Sequence, residues 1–267
     1  MINLLKKIVP DNLKTMLRKS IPGMPERANY YCPVCDKPVI RFKPIDEHIL
    51  RNLDKHGYVH SLFLTETLNL FEYSCPHCNA SDRERLYAIY AKSRKNELVK
   101  GQKMLEIAPG VHFRNMLSQW PGVQYTCGDL MREDVDYKID ITNIHQFPEN
   151  SFDCIVCSHV LEHVKEDQKA VAELYRILKP GGWGLLMVPI KLELEQTLEK
   201  PEIQSEADRW KYYGQNDHVR LYSKSGWLNR LKGAGFKVNQ LGIEQFGKEA
   251  FTIHGIHPRS ILYIVEK

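Results

Sequence analysis

The chain has 267 residues, of which 43% are hydrophobic and 26% charged, and its net charge is +4. This is ordinary globular composition, with length for one large domain and something small beside it. No apolar run approaches the length of a membrane span and the first residues lack the core of a signal peptide, so a cytoplasmic protein is expected. The positive charge is concentrated at the start. Residues 1–28 carry Lys6, Lys7, Lys14, Arg18, Lys19 and Arg27 against Asp11 and Glu26. Leucines interleaved with these lysines predict short amphipathic turns, broken by Pro10 and ended by Pro22 and Pro25. They either pack on the body or place residues 1–20 on an anionic membrane surface, which would make the chain peripheral at the inner face.

Residues 29–80 contain Cys32-Pro33-Val34-Cys35 and Cys75-Pro76-His77-Cys78. Each pair is a tight knuckle whose two thiolates can face one ion, and two knuckles complete a closed tetrahedral site. The seven cysteines, an odd number partly arranged in matched pairs, fit a metal better than a secreted disulfide framework. A structural Zn2+ ion on Cys32, Cys35, Cys75 and Cys78 is the expectation, with iron the alternative. Strands are predicted over 38–42 and 68–73, with a long insertion, 44–67, between them. His48, His56, His60 and His77 are expected to pack or face solvent, because four thiolates leave no position for them. The module holds five Lys/Arg and six Asp/Glu, net −1, which disfavours nucleic acid as its partner.

Residues 81–100 have helical spacing at Leu86, Ile89 and Tyr90, with Ser81 or Asp82 as N-cap, and read as a link to the larger C-terminal region. Arg83 and Arg85 sit at the helix start, where the dipole does not favour cations. They have another task or point into water.

From 101 to 267 the pattern is α/β. Met104–Ala108 is an apolar run of the kind a buried parallel strand makes, Ala108-Pro109-Gly110 breaks it, and Phe113, Met116, Leu117 and Trp120 have helical spacing. A second strand, Val123–Cys127, leads to Gly128-Asp129. Strand, tight loop, helix, strand and acid make half of a nucleotide-binding unit. The acid, 19 residues after Gly110, suits a pair of ribose hydroxyls. Tyr137–Ile139 leads to Asp140, Asp153–Cys157 to Ser158-His159, and a helix through Leu174 and Leu178 stops at Pro180-Gly181-Gly182. Gly184–Val188 is the next strand. Lys191–Asp208 is predicted as a charged helical flap over the strand tips, with the polar, aromatic stretch Tyr212–Tyr222 after it. A helix at Trp227–Leu231, a strand at Phe236–Leu241 and an antiparallel edge strand at Ile261–Val265 complete the chain. His159 and His163 are four residues apart, but no third ligand with suitable spacing accompanies them, so a metal pair is not expected there.

The ordered set Glu106-x-Ala108-Pro109-Gly110, Asp129, Asp140-Ile141, Ser151-Phe152-Asp153, Leu161-Glu162-His163 and Leu178-Lys179-Pro180-Gly181-Gly182 resembles the class I S-adenosylmethionine-dependent methyltransferases. The resemblance covers about Lys103–Pro189 and departs from the family at Ala108 and His112, which hold the first and third positions of the usual glycine loop. It implies a Rossmann-like sheet of seven strands, mostly parallel, beside the small four-cysteine zinc ribbon. It also implies S-adenosylmethionine as cofactor, held by Glu106, Ala108, Pro109, Gly110, Asp129, Leu130, Asp140, Ile141, Ser158 and His159. The two C-P-x-C knuckles, the arginine-containing helix and the G-Q-x-D-H-V-R-x-Y stretch further resemble an uncharacterised bacterial group linked with surface-polysaccharide or glycolipid synthesis.

Methyl transfer to a hydroxyl benefits from a base. His218, oriented by Asp217, is the first expectation for that base and His159 the second, with Arg220 and Tyr222 positioning a small-molecule or glycan acceptor. The alternatives are an RNA methyltransferase that grips nucleic acid with its ribbon, and a binding protein that keeps the fold without catalysis.

Overall fold

The computed structural model describes residues 28–94 and 101–267. The basic segment expected over 1–28 and the end of the linking helix therefore lie outside the described residues, apart from Ala28. Two units share one continuous core, in which Cys32, Val39 and Phe42 of the first pack with Leu86 and Tyr87 of the linking helix and with the strands of the second.

The N-terminal module is short of regular structure. Strands β1 (Tyr30–Cys32) and β2 (Lys37–Val39) form an antiparallel hairpin that presents the first knuckle. The expected strand over 68–73 is replaced by an irregular segment, tied by the Ile45 N–H donating to the Leu70 carbonyl and by a bridge between Lys43 and Ser74 just beyond it. Asn69 explains this locally: its Oδ1 accepts the backbone N–H groups of Phe71 and Glu72, which bends the chain instead of extending it. In the insertion, helix α1 (Glu47–Lys55) starts where the Asp46 side chain accepts the His48 N–H.

Helix α2 (Asp82–Arg94) opens with a reciprocal cap. Ser81 Oγ accepts the Glu84 N–H at 3.3 Å, and Glu84 Oε2 accepts the Ser81 N–H at 2.8 Å. Arg85, on the first turn, is fully buried and lies 3.8 Å over the Phe42 ring. It donates to the carbonyls of Tyr73, Ala80, Glu72, His254 and Gly255. A buried guanidinium is tolerable only when its donors are satisfied. Here the acceptors come from the ribbon and from a C-terminal turn, so one side chain clasps the two units.

The second unit is a seven-stranded sheet in the order β5-β4-β3-β6-β7-β9-β8. Its members are β3 (Gln102–Ile107), β4 (Val123–Asp129), β5 (Tyr137–Lys138), β6 (Phe152–Ser158), β7 (Leu178–Met187), β8 (Lys237–Leu241) and β9 (Leu262–Glu266). The first five pair in parallel, and β9 runs antiparallel to both β7 and β8. The mostly parallel, seven-stranded Rossmann-like architecture is as expected. The antiparallel strand is not at the edge, however. Its four buried residues, Leu262–Val265, fit an interior position between two neighbours, and half-exposed β8 takes the edge. Helix α3 (Val111–Leu117) comes after β3, and α4 (Asp167–Ile177) connects β6 to β7 as a crossover.

After β7 the expected helical flap over 191–208 is mostly irregular chain. It is held by bridges from Thr65 to Lys191, Ile190 to Tyr222 and Leu198 to Leu221, and becomes helical only at α5 (Glu206–Tyr213). Ser205 caps that helix and Gly214, at φ 84°, ends it. The ribbon's insertion packs on this segment: His56 stacks on Trp210 at 5.7 Å, and the Val59 N–H donates to the Lys211 carbonyl. Helix α6 (Lys224–Gly233) is capped by Ser223, and the short helices α7 (Ile243–Phe246) and α8 (Lys248–Ile253) lead into β9. Among the described residues no helix is long and apolar enough to cross a membrane.

Candidate functional site

The sheet's carboxyl ends enclose a cavity of about 350 Å³, a size ordinary for small-molecule sites. Its wall is made by Glu106, Ala108 and Gly110 at the tip of β3, by Ser158 and His159 at the tip of β6, and by Arg83, Glu84 and Tyr87 from α2. A larger groove of about 640 Å³ lies between the ribbon and α3, but no strand tip lines it. The smaller cavity therefore has the position where open α/β sheets bind ligands.

Local chemistry explains the wall. Ala108 has φ 49°, a left-handed conformation that glycine adopts freely and alanine at a cost of about 1–2 kcal/mol. Its N–H is fixed by the Gly128 carbonyl at 2.8 Å. At Gly110 a Cβ would stand 2.9 Å from Glu84 Oε1, so the loop and α2 approach closely because there is no side chain. Glu106 is buried and accepts the Tyr125 hydroxyl proton, and burial raises its pKa to about 7. Ser158 Oγ and the Tyr87 hydroxyl are 2.9 Å apart, which joins α2 to the tip of β6.

Beside this wall, Asp129 Oδ1 accepts the N–H groups of Met131 at 2.7 Å and Arg132 at 2.9 Å, which orients the carboxylate. A Cβ at Gly128 before it would stand 2.2 Å from Ile139 Cδ1, so that side chain fills the space glycine leaves. Asp140 Oδ1 accepts from the Thr142 hydroxyl and N–H, and these bonds hold its pKa below the usual carboxylate range. Ile141 is buried and Leu130 is exposed. The expected cofactor residues therefore divide into two groups. Glu106, Ala108, Gly110, Ser158 and His159 share one cavity wall, while Pro109, Asp129, Leu130, Asp140 and Ile141 stand outside its lining, Asp129 at the tip of β4 and the others on the loops after β3, β4 and β5.

His159 also has a positive φ, 57°, and its Nδ1 lies 3.1 Å from Oε1 of Glu162. Burial lowers its pKa, and the Arg83 charge adds to that. Glu162 is fully buried, yet its pKa is lowered: burial opposes ionisation, and the neighbouring His159, His218 and His163 together outweigh it.

The expectations for 214–222 are corrected. Arg220 and Tyr222 are fully buried and cannot touch an acceptor. Arg220 donates to the carbonyls of Leu161 and Lys165 and pairs with Glu199, and the Tyr222 hydroxyl donates to Asp167 at 2.6 Å. Both clamp the turn after β6 and the start of α4. Asp217 does not orient His218; its Oδ2 lies 3.2 Å from Nδ1 of His163. His218 is 5% exposed, is absent from the cavity wall, and has its pKa lowered to about 4 by burial. Polarity alone does not separate a substrate loop from a buried clamp, which is why the sequence pattern misled here.

Sequence reasoning missed the contribution of α2, treating it only as a link. The signal was the Ser81-x-x-Glu84 pair, which fixes the helix start and so brings Arg83, Glu84 and Tyr87 to the cavity.

The four cysteines of the ribbon meet at one point, as expected. All four Sγ atoms lie within 4.8 Å of one another, with Cys32–Cys78 at 3.8 Å and Cys35–Cys75 at 3.9 Å. Tetrahedral zinc bonds of about 2.3 Å require sulfurs about 3.8 Å apart, so the donor set and its spacing fit Zn2+. The nearby histidines are engaged elsewhere: His77 faces the Pro38 carbonyl, His60 pairs with Glu193, and His48 contacts Asn52.

The profile of a family described as a methyltransferase domain matches residues 80–241. Among curated proteins, the ubiquinone/menaquinone biosynthesis C-methyltransferases UbiE of Citrobacter koseri and Escherichia fergusonii are each 33% identical over 106 residues, 34% of this chain and 41% of theirs. The chain thus spans less than half the length of these relatives. Among solved structures, the [4+2]-cyclase SpnF superposes with a TM-score of 0.48 at 15% identity, covering 82% of this chain and 90% of that one. Phosphoethanolamine N-methyltransferase 2 of Haemonchus contortus, in complex with S-adenosyl-L-methionine, gives 0.44 at 19% identity, covering 67% of this chain and 51% of that one.

Proposed function

Because this chain belongs to the methyltransferase-domain family, we propose that it transfers a methyl group from S-adenosylmethionine to a hydroxyl of a saccharide, free or lipid-linked. When bound, the donor supplies an electrophilic methyl on a sulfonium. The observation that carries this reading is that the cofactor loop and the His159–Glu162 pair share one end of the sheet, with His159 on the cavity wall. Ala108 and Gly110 let the backbone approach the donor closely, Asp129 takes the ribose hydroxyls, and Asp140 takes the adenine amine. As the acceptor oxygen forms its bond to the methyl carbon, the carbon–sulfur bond breaks. His159 receives the hydroxyl proton, with the carboxylate of Glu162 beside the ring favouring the cation that results.

The saccharide class comes from the resemblance of the knuckles, α2 and the 214–222 stretch to the polysaccharide-linked bacterial group. The ribbon is assigned a structural Zn2+ ion, since four thiolates leave no position for substrate. The basic first 20 residues are assigned to an anionic membrane surface, where a lipid-linked acceptor would be met. A carbon acceptor is the second reading, favoured by the C-methyltransferase activity for which the UbiE relatives are named.

Two measurements test this. By calorimetry, wild type should bind S-adenosylmethionine, and Asp129→Ala should weaken binding at least about tenfold, the loss of one charge-assisted pair of contacts. Equal affinities would remove the ribose role from Asp129. With methyl-labelled donor and a cell extract, label should enter the saccharide or glycolipid fraction. Label confined to RNA, or to a quinone-type lipid without sugar, would overturn the acceptor assignment.

A further inference from the structure

The turn behind His159 contains more buried polar atoms than proton transfer requires. Glu162, in the single turn Leu161–His163, is fully buried, and apart from the 3.1 Å ion pair with His159 its carboxylate oxygens have no partner. His218 is 5% exposed, and its Nδ1 is also without a partner. The Val219 N–H donates to the Glu162 carbonyl at 2.8 Å, and this bond lays the 217–219 segment along the turn. The ring of His218 thereby meets that of His163 at 4.7 Å between centroids, nearly perpendicular.

One ligand atom from each of Glu162, His163 and His218 lies within 4.8 Å of the others. Leaving a buried carboxylate unbonded costs several kcal/mol, and so does each buried nitrogen to a smaller extent. Two imidazoles and one carboxylate at this spacing are a donor set that suits a divalent transition-metal ion. We propose that Glu162, His163 and His218 bind one such cation, distinct from the ion of the four cysteines.

Local spacing could not reveal this site, because the ligand that joins His163 and Glu162 comes from a loop beyond α5. The surroundings suit a cation. Asp217 Oδ2, 3.2 Å from His163 Nδ1, is the kind of carboxylate partner that fixes a ligating imidazole. Glu162 also borders His159, so the ion lies one side chain behind the cavity wall. From there it would set the charge beside His159, a role that rests on the methyl-transfer reading. Binding of the cation does not rest on it.

Mn2+ is the probe, because it prefers nitrogen and oxygen donors and leaves a thiolate site to zinc. The full chain, with its four-cysteine ion in place, is titrated with Mn2+ while the free ion is followed by electron paramagnetic resonance. Wild type should take up one Mn2+ per chain and melt at a higher temperature with the ion than without it. His163→Ala and His218→Asn should each bind at least tenfold more weakly and lose that rise. His163 is one-third exposed, so its variant folds even where the buried His218 change disturbs packing, and metal-free melting curves check this. No uptake by wild type, or uptake unchanged in His163→Ala, overturns the proposal. Neither donor nor acceptor enters the measurement, so its failure leaves the methyl-transfer reading standing.

Discussion

Replacing Cys75 by serine is expected to release the ribbon's ion and unfold most of residues 29–80. The regular structure there amounts to two three-residue strands, one nine-residue helix and a three-residue 3-10 turn, far too little to close a core without a crosslink. Cys32 and Cys75 are fully buried, and structural zinc sites contribute on the order of 10 kcal/mol of binding free energy to the folded form. Serine cannot replace a thiolate, and the remaining sulfurs would be left in an apolar setting with nothing to neutralise them. The damage should spread, because Arg85 takes carbonyls of Tyr73 and Ala80 on either side of the second knuckle. We expect elemental analysis to show loss of about one zinc per chain. The melting temperature should fall by on the order of 10 °C or more, at 2–4 °C per kcal/mol for a protein of this size. A variant that keeps its zinc and melts with wild type would end the structural role of that ion.

For His159→Ala, turnover is expected to drop by about 10²–10⁴-fold, the usual worth of a positioned base. The residue is placed by backbone as much as by side chain. It follows β6 directly with φ 57°, and Glu162 lies against its ring. Donor affinity should change little, since Ala108, Gly110 and Asp129 remain, so the loss should appear in kcat and not in donor KM. His159→Gln, which keeps size and hydrogen bonding but not basicity, should be nearly as inactive. Turnover within a few-fold of wild type in both variants would remove the base from His159 and leave orientation as the main source of rate.

The ribbon and the catalytic sheet were unequally legible in the sequence. The sheet could be read because buried parallel strands are largely apolar, and Met104–Ile107, broken only by Glu106, and Cys154–Cys157 have that pattern. The knuckles could be read because C-x-x-C spacing has few other uses. What could not be read depended on burial. Arg85, Arg220, Glu162 and His218 look like surface or loop residues by type, yet each is 5% exposed or less. Their environment is assembled from distant segments, the 254–255 turn for Arg85 and the 161–165 turn for Arg220. The position of the antiparallel strand was likewise settled by which of two C-terminal strands buries more surface, a comparison that local periodicity does not make.

The contact between the ribbon's insertion and the chain after β7 bears on whether the two units can be exchanged separately. Thr65 bridges to Lys191, His56 stacks on Trp210, and Lys191 donates to the Ser61 carbonyl at 2.8 Å. The covering beside the carboxyl ends of the sheet is thus woven from both halves of the chain. A graft of residues 101–267 onto another amino-terminal module would carry the donor loop intact but only half of that covering. The two segments must therefore change together for this covering to close.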